Sequence, residues 1–282
     1  MFRSIAPPGR AVIQRGVYPT PRDAASVILL RAGEVGVEVF LLRRRKSASF
    51  MGGAYVFPGG AADDDDGGDL RITAARELFE EAGVLLATDA VAPEVIAALR
   101  TRLLAGATLT SLLDEAGLAL SLAQLHYYAH WITPSAEPKR FSARFYVAVL
   151  PEGQSPRFDD HETVDQAWLT PTVALARAGE LALPPPQVRI QSELASATTI
   201  DEALTLTRAA AAHPHPIMPR MAPLPSGGFA LLLPWDPAYV DHGTGDSAPM
   251  PGDHPLASGP SRFVLEERTW KNITAPSSTT AA

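Results

Sequence analysis

Nine consecutive residues, Arg76-Glu77-Leu78-Phe79-Glu80-Glu81-Ala82-Gly83-Val84, concentrate ionisable groups in what reads as a helix. Glu77 lies three residues before Glu80 and four before Glu81, so a helix places all three carboxylates on one side. Leu78 and Phe79 point elsewhere and can face a core. Thr73 is the expected N-cap, and Gly83 is expected to stop the helix. Three carboxylates on one surface repel each other, and Arg76 alone cannot balance them. A hard divalent cation such as Mg²⁺ or Mn²⁺, which prefers all-oxygen ligands, would do so. A solvated Glu-rich helix face is the competing explanation of this stretch taken alone.

The setting separates the two. Upstream, Val56-Phe57-Pro58-Gly59-Gly60 runs an apolar strand end into a glycine pair. The combination resembles the Nudix box, G-x5-E-x7-R-E-U-x-E-E-x-G-U with U bulky and apolar. Arg76–Val84 matches every specified position of its second half. The first half departs: counting back from Arg76 puts Ala62 at the box glycine and Gly68 at the box glutamate. With Gly60 as the box glycine, the spacer is two residues too long, and the insertion falls within Asp63–Asp69. One of Asp63–Asp66 or Asp69 could replace the missing glutamate, or the run is a solvated loop.

The resemblance implies an α+β fold, an α/β/α sandwich with a mixed sheet between helices, and hydrolysis of a diphosphate linkage with Mg²⁺ or Mn²⁺ as cofactor. It implies Glu77 and Glu81 as direct metal ligands, with Glu80 completing the shell and a strand carbonyl at Gly60 approaching the ion. Arg76 is implied to orient a box carboxylate through an ion pair. Glu162, in Asp159-Asp160-His161-Glu162, is the expected extra carboxylate, as ligand or general base; His161 is a second base candidate. Cations that could hold substrate phosphates are Arg43–Lys46, chiefly Arg44 and Arg45, and Lys139 and Arg140. Pro138-Lys139-Arg140-Phe141 resembles a Pro-Arg-Arg-Phe-like stretch of the family, although a solvated hairpin tip reads equally well.

A second, partial resemblance is to coenzyme A-cleaving Nudix enzymes, whose motif ends in G-x3-F-P-G-G. Gly53, Phe57, Pro58, Gly59 and Gly60 match it, and Leu41 and Arg44 fit its first half. Leu42, Arg45 and Ser49 depart from it. Closer still is the branch of the peroxisomal coenzyme A diphosphatase, which also carries an insertion inside the box. Gly53 is thereby a substrate-loop candidate, with Phe50 and Met51 as apolar contacts. The expected substrate is a small nucleoside diphosphate derivative such as coenzyme A or acyl-coenzyme A. ADP-ribose and dinucleoside polyphosphates stay open, as does a catalytically weak nucleotide-binding module.

The elements that must position these residues follow from periodicity. Residues 1–23 read as an irregular lead-in. Ala24–Arg31 and Val37–Leu42 are expected to form a hairpin across Gly33 and Gly36. Helices are expected at Pro93–Leu104 and Leu109–Leu118, an insertion between box and next strand. Strands follow at Leu125–Ile132 and Phe141–Leu150, and helices at Val173–Ala178, Val188–Ala195 and Ile200–Ala212. Residues 24–212 are therefore read as the Nudix domain. Residues 213–270, with short strands near Ile217–Met221, Phe229–Leu233 and Phe263–Glu266, form an extension packed on it, and 271–282 a disordered tail.

Composition bounds the rest. The 282 residues, 46% of them hydrophobic and 20% charged, suit one enlarged globular domain. A net charge of −7 argues against a nucleic-acid surface. The chain has no cysteine, which excludes disulfides and thiolate chemistry. No apolar run approaches the ~20 residues of a membrane span, and no apolar signal core or peroxisomal tripeptide is seen. No membrane partner and a cytoplasmic location are expected, with a homodimer left open.

Overall fold

The computed structural model describes residues 18–48, 51–242, 247–251, 253–257 and 259–275. Ser49, Phe50, most of the lead-in and most of the tail lie outside these residues. An eight-stranded mixed sheet dominates. β1 (Arg22–Gly33) and β2 (Gly36–Arg44) form the hairpin, with Gly33 opposite Gly36. β6 (Phe141–Val149) lies parallel to β1 on its other side, and β5 (His126–Ile132) continues the sheet antiparallel to β6. β7 (Thr163–Leu169) pairs with β2, and the short β3 (Tyr55–Val56) and β4 (Gly59–Ala61) pair with β2 and β1 respectively.

The apolar run of β1 is near-continuous because both faces of the sheet are covered. Val27 and Leu29 join Phe40 and Leu42 beneath helix α1 (Leu70–Ala82). Ile28 and Leu30 join Val39 and Leu41 on the opposite face. That face packs against α4 (Pro171–Ala176), α5 (Pro185–Leu194) and α6 (Ile200–Ala212). The inserted helices α2 (Pro93–Leu104) and α3 (Leu109–Ala116) build a third cluster around Phe79 of α1. This is a Nudix-type α+β fold, as expected.

Beyond α6, β8 (Pro216–Ile217) adds to the main sheet beside β5. β9 (Arg220–Pro223), β10 (Phe229–Leu232), β11 (Arg262–Glu266) and β12 (Thr269–Ile273) form a second, antiparallel sheet. Leu231, Leu233 and Phe263 share the core of the main sheet, and Phe263 meets Trp131 edge-on at 6.5 Å between ring centroids. Lys271–Ile273, assigned by sequence to a disordered tail, are instead the end of β12. Alternation is weak there, and pairing with β11 supplies what propensity does not. Among the described residues no helix is long and apolar enough to cross a membrane.

Candidate active site

Helix α1 begins earlier than its sequence suggests. Asp69 is the N-cap, accepting from the Arg71 N–H at 2.9 Å. Thr73 is not the cap but lies buried in the second turn, where its hydroxyl donates to Asp66 Oδ2 at 2.8 Å. Gly83 ends the helix in the left-handed conformation at φ 70°, its N–H donating to the Phe79 carbonyl. Leu78 and Phe79 are fully buried, so Arg76, Glu77 and Glu80 are left at the rim of the helix.

Arg76 is the hub. Its Nη1 donates to Glu77 Oε1 and Glu80 Oε2, each at 3.0 Å. Its Nη2 donates to the Ala61 carbonyl at 3.0 Å. Its remaining donors go to Asp66, in the single turn Asp64–Asp66 capped by Asp63. Asp66 is 2% exposed and also accepts the Asp63 N–H. Burial alone would raise its pKa, but the hydrogen bonds from Arg76, Asp63 and Thr73 hold it below the usual carboxylate range. An acidic residue of the interrupted spacer therefore does sit on the arginine. The register was not readable because Gly67 and Gly68, both at positive φ, loop the chain between Asp66 and α1.

Glu81 points inward, is 4% exposed and accepts the Gly59 N–H at 2.8 Å. Glu77 lies against Gly60, where a Cβ would come within 2.6 Å of all three of its carboxyl atoms. Only glycine lets that backbone and that carboxylate meet. Glu162 joins the group from the loop before β7, 3.7 Å from Arg44 Nη2, and its charge is felt at Glu77, Glu80 and Glu81. Burial pushes Glu77 up to about 7 against the pull of Arg76, with Glu80 and Glu162 adding to the rise. Burial also raises Glu80, and raises Glu81 well above the usual range with help from Glu77.

The loop carrying Glu162 is itself preorganised. Asp159 accepts the N–H groups of His161, Glu162 and Thr163 at 2.9–3.1 Å. Sequence reading gave Asp159 no role, since an Asx turn is one of many fates for a loop Asp. Arg45, a substrate-binding candidate, is occupied on this loop: its guanidinium donates to the carbonyls of Asp160 and His161 and meets the Asp160 carboxylate. Arg44 faces the carboxylates, and its Nε is buried with no hydrogen-bond partner among the described residues. Gly53 closes the turn after β2, its N–H on the Arg44 carbonyl at 3.1 Å and φ +84°.

Of the other two cation candidates, Arg140 is turned inward. Arg140 is 7% exposed, and its guanidinium donates to the Thr133 and Pro19 carbonyls and to Met218 Sδ. It ties the lead-in and the extension to the start of β6. Neighbouring Lys139 is exposed, its Nζ 5.5 Å from the Phe141 ring. A two-residue basic motif cannot reveal in advance that one member folds inward.

The NUDT19 Nudix domain family matches residues 68–192, and the NUDIX domain family matches residues 20–102. The fold is of the Nudix type. Nudix hydrolase 7, so named in Caenorhabditis elegans, is 33% identical over 177 residues, 59% of this chain and 58% of that one. The chain thus matches under two thirds of the length of that curated relative. A NUDIX hydrolase from Alicyclobacillus acidocaldarius of known crystal structure is 28% identical, with a TM-score of 0.58 over 66% of this chain and 96% of that one.

Does this site suit a divalent cation? In kind it does: every donor is a hard oxygen, and four carboxylates stand in each other's field. Among the described residues, however, no three acidic or imidazole side chains form a ready metal cage. Arg76 Nη1 takes both Glu77 and Glu80. The donors fit, and grouping them requires Glu77 and Glu80 to turn from Arg76.

Proposed function

We propose that the chain is a Mg²⁺- or Mn²⁺-dependent diphosphatase. It would hydrolyse a nucleoside diphosphate derivative into two phosphate monoesters without a covalent enzyme intermediate. The observation that carries this reading is that Arg76 Nη1 draws Glu77 and Glu80 together, with Glu81 held beside them on the Gly59 N–H. An ion bound by Glu77, Glu80, Glu81 and the Gly60 carbonyl would withdraw charge from the diphosphate oxygens and acidify a water. Glu162, the most exposed of the four carboxylates and on a separate loop, would serve as the general base. Arg44, whose Nη2 lies 3.7 Å from Glu162, would meet a phosphate oxygen with the outer edge of its guanidinium. Asp66 and the Ala61 carbonyl hold Arg76 in place, so that Arg76 can hand its Nη1 partners over without itself moving.

Coenzyme A or an acyl-coenzyme A is the substrate we propose first. The match of residues 68–192 to the NUDT19 Nudix domain and the Gly53 and Phe57–Gly60 motif support it. One observation favours a nucleotide-binding module instead: Glu77 and Glu80 are both held by Arg76. Purified protein with Mg²⁺ or Mn²⁺, offered coenzyme A, ADP-ribose and a dinucleoside polyphosphate, decides between them. Release of phosphopantetheine and a 3′,5′-bisphosphonucleoside supports the enzyme. Binding with no turnover of any compound would support the module.

A further inference from the structure

The last four carbonyls of a helix have no partners within it. In α1 two of these carbonyls belong to Glu80 and Glu81 themselves. The Phe79 carbonyl accepts the Gly83 N–H at 3.0 Å, and the Ala82 carbonyl accepts the Arg157 N–H at 2.8 Å. The two between them are satisfied from the inserted helix α2. Arg100 Nε and Nη2 donate to the Glu80 carbonyl at 3.1 and 2.8 Å, and Nη2 also donates to the Glu81 carbonyl at 3.0 Å. Among the described residues Arg100 makes no ion pair with a carboxylate. Its charge faces the negative end of the α1 dipole instead, where a cation is stabilising.

Gly83 completes the contact. A Cβ there would lie 2.8 Å from Arg100 Nη1, so the positive-φ glycine also makes room for the guanidinium. We infer that Arg100 is a positioning residue, through which the insertion fixes the backbone of Glu80 and Glu81 and thereby aims their carboxylates. Glu81 shows why this matters, since its carboxylate reaches the Gly59 N–H from a buried position with little slack. The insertion is thus a brace for the catalytic helix. This inference rests on the diphosphatase reading, and its test separates the two.

The test compares wild type, Arg100→Lys and Arg100→Met. The readouts are steady-state kinetics on the best substrate, Mn²⁺ binding by electron paramagnetic resonance of the free ion, and thermal unfolding. Arg100→Met is expected to lower kcat by about 10- to 100-fold with KM within about twofold, the size expected of a small misplacement. It is expected to weaken Mn²⁺ binding by roughly tenfold, and Arg100→Lys to recover part of both, because one ammonium still reaches a carbonyl. Should Arg100→Met not fold, Arg100→Gln carries the same comparison. A folded variant with wild-type kcat and Mn²⁺ affinity overturns the inference. So does a loss explained wholly by fewer folded molecules, with the remainder binding Mn²⁺ as wild type. A wild type that neither binds Mn²⁺ nor hydrolyses any diphosphate overturns the diphosphatase reading and this inference with it.

Discussion

Arg76 grips Asp66 in a two-pronged pair, Nε to Oδ1 at 2.8 Å and Nη2 to Oδ2 at 3.0 Å, although the two residues are ten apart across a glycine loop. The pair fixes the guanidinium plane, so that Nη1 points at Glu77 and Glu80. Removing one member of a buried pair strands the other. Asp66→Ala is expected to cost about 3 kcal/mol in urea unfolding and to depress hydrolysis as well. Stability within 1 kcal/mol of wild type would show that the pair is dispensable.

Glu80→Gln and Glu81→Gln are each expected to abolish turnover while leaving the circular dichroism spectrum and unfolding midpoint near wild type. The amide keeps the shape but loses the charge that a divalent cation requires. Turnover preserved in both variants would remove these residues from the chemistry.

Gly60→Ala places a methyl group where the Glu77 carboxylate sits, 2.4 Å from Oε1. Glu77 must swing away. Activity is expected to fall by roughly 10- to 100-fold, with a far smaller change in unfolding midpoint, as read from paired kinetic and thermal measurements.

Arg140→Ala is expected to destabilise the fold without changing KM. It donates to the Thr133 and Pro19 carbonyls and to the buried Met218 sulfur, and the substitution removes all three of these ties. A large rise in KM with unaltered stability would return Arg140 to the substrate site.

His130 gives a pH dependence away from the carboxylates. Burial, assisted by Arg144, lowers its pKa to about 4, and its Nε2 lies 3.0 Å from Ser142 Oγ. The folded value lies below the unfolded one, so the unfolded chain binds the proton first as pH falls. The stability is complete above pH ~6.5 and is lost on descending toward about 4. After allowance for partial solvent screening the loss is on the order of 2 kcal/mol. His130→Gln should flatten the unfolding free energy between pH 7 and 5 relative to wild type, and parallel curves would refute the assignment.

The sequence by itself determined the glutamate-bearing helix and the main strands, because these are written in local periods: Glu77, Glu80 and Glu81 at helical spacing, and an unbroken apolar run at Val27–Leu30. It also carried the glycine that Glu77 needs beside it. Only the tertiary structure decided which polar residues serve the site. Asp66 was one of several indistinguishable aspartates until a glycine loop turned it onto Arg76. Arg140 and Arg45 looked like Arg44 on paper, yet one packs inward and one clamps a loop. Arg100 carried no signal at all, since its partners are carbonyls, which every residue possesses. Spacing along a chain reports which groups share an element, and a charged group's partner is set by which elements pack together.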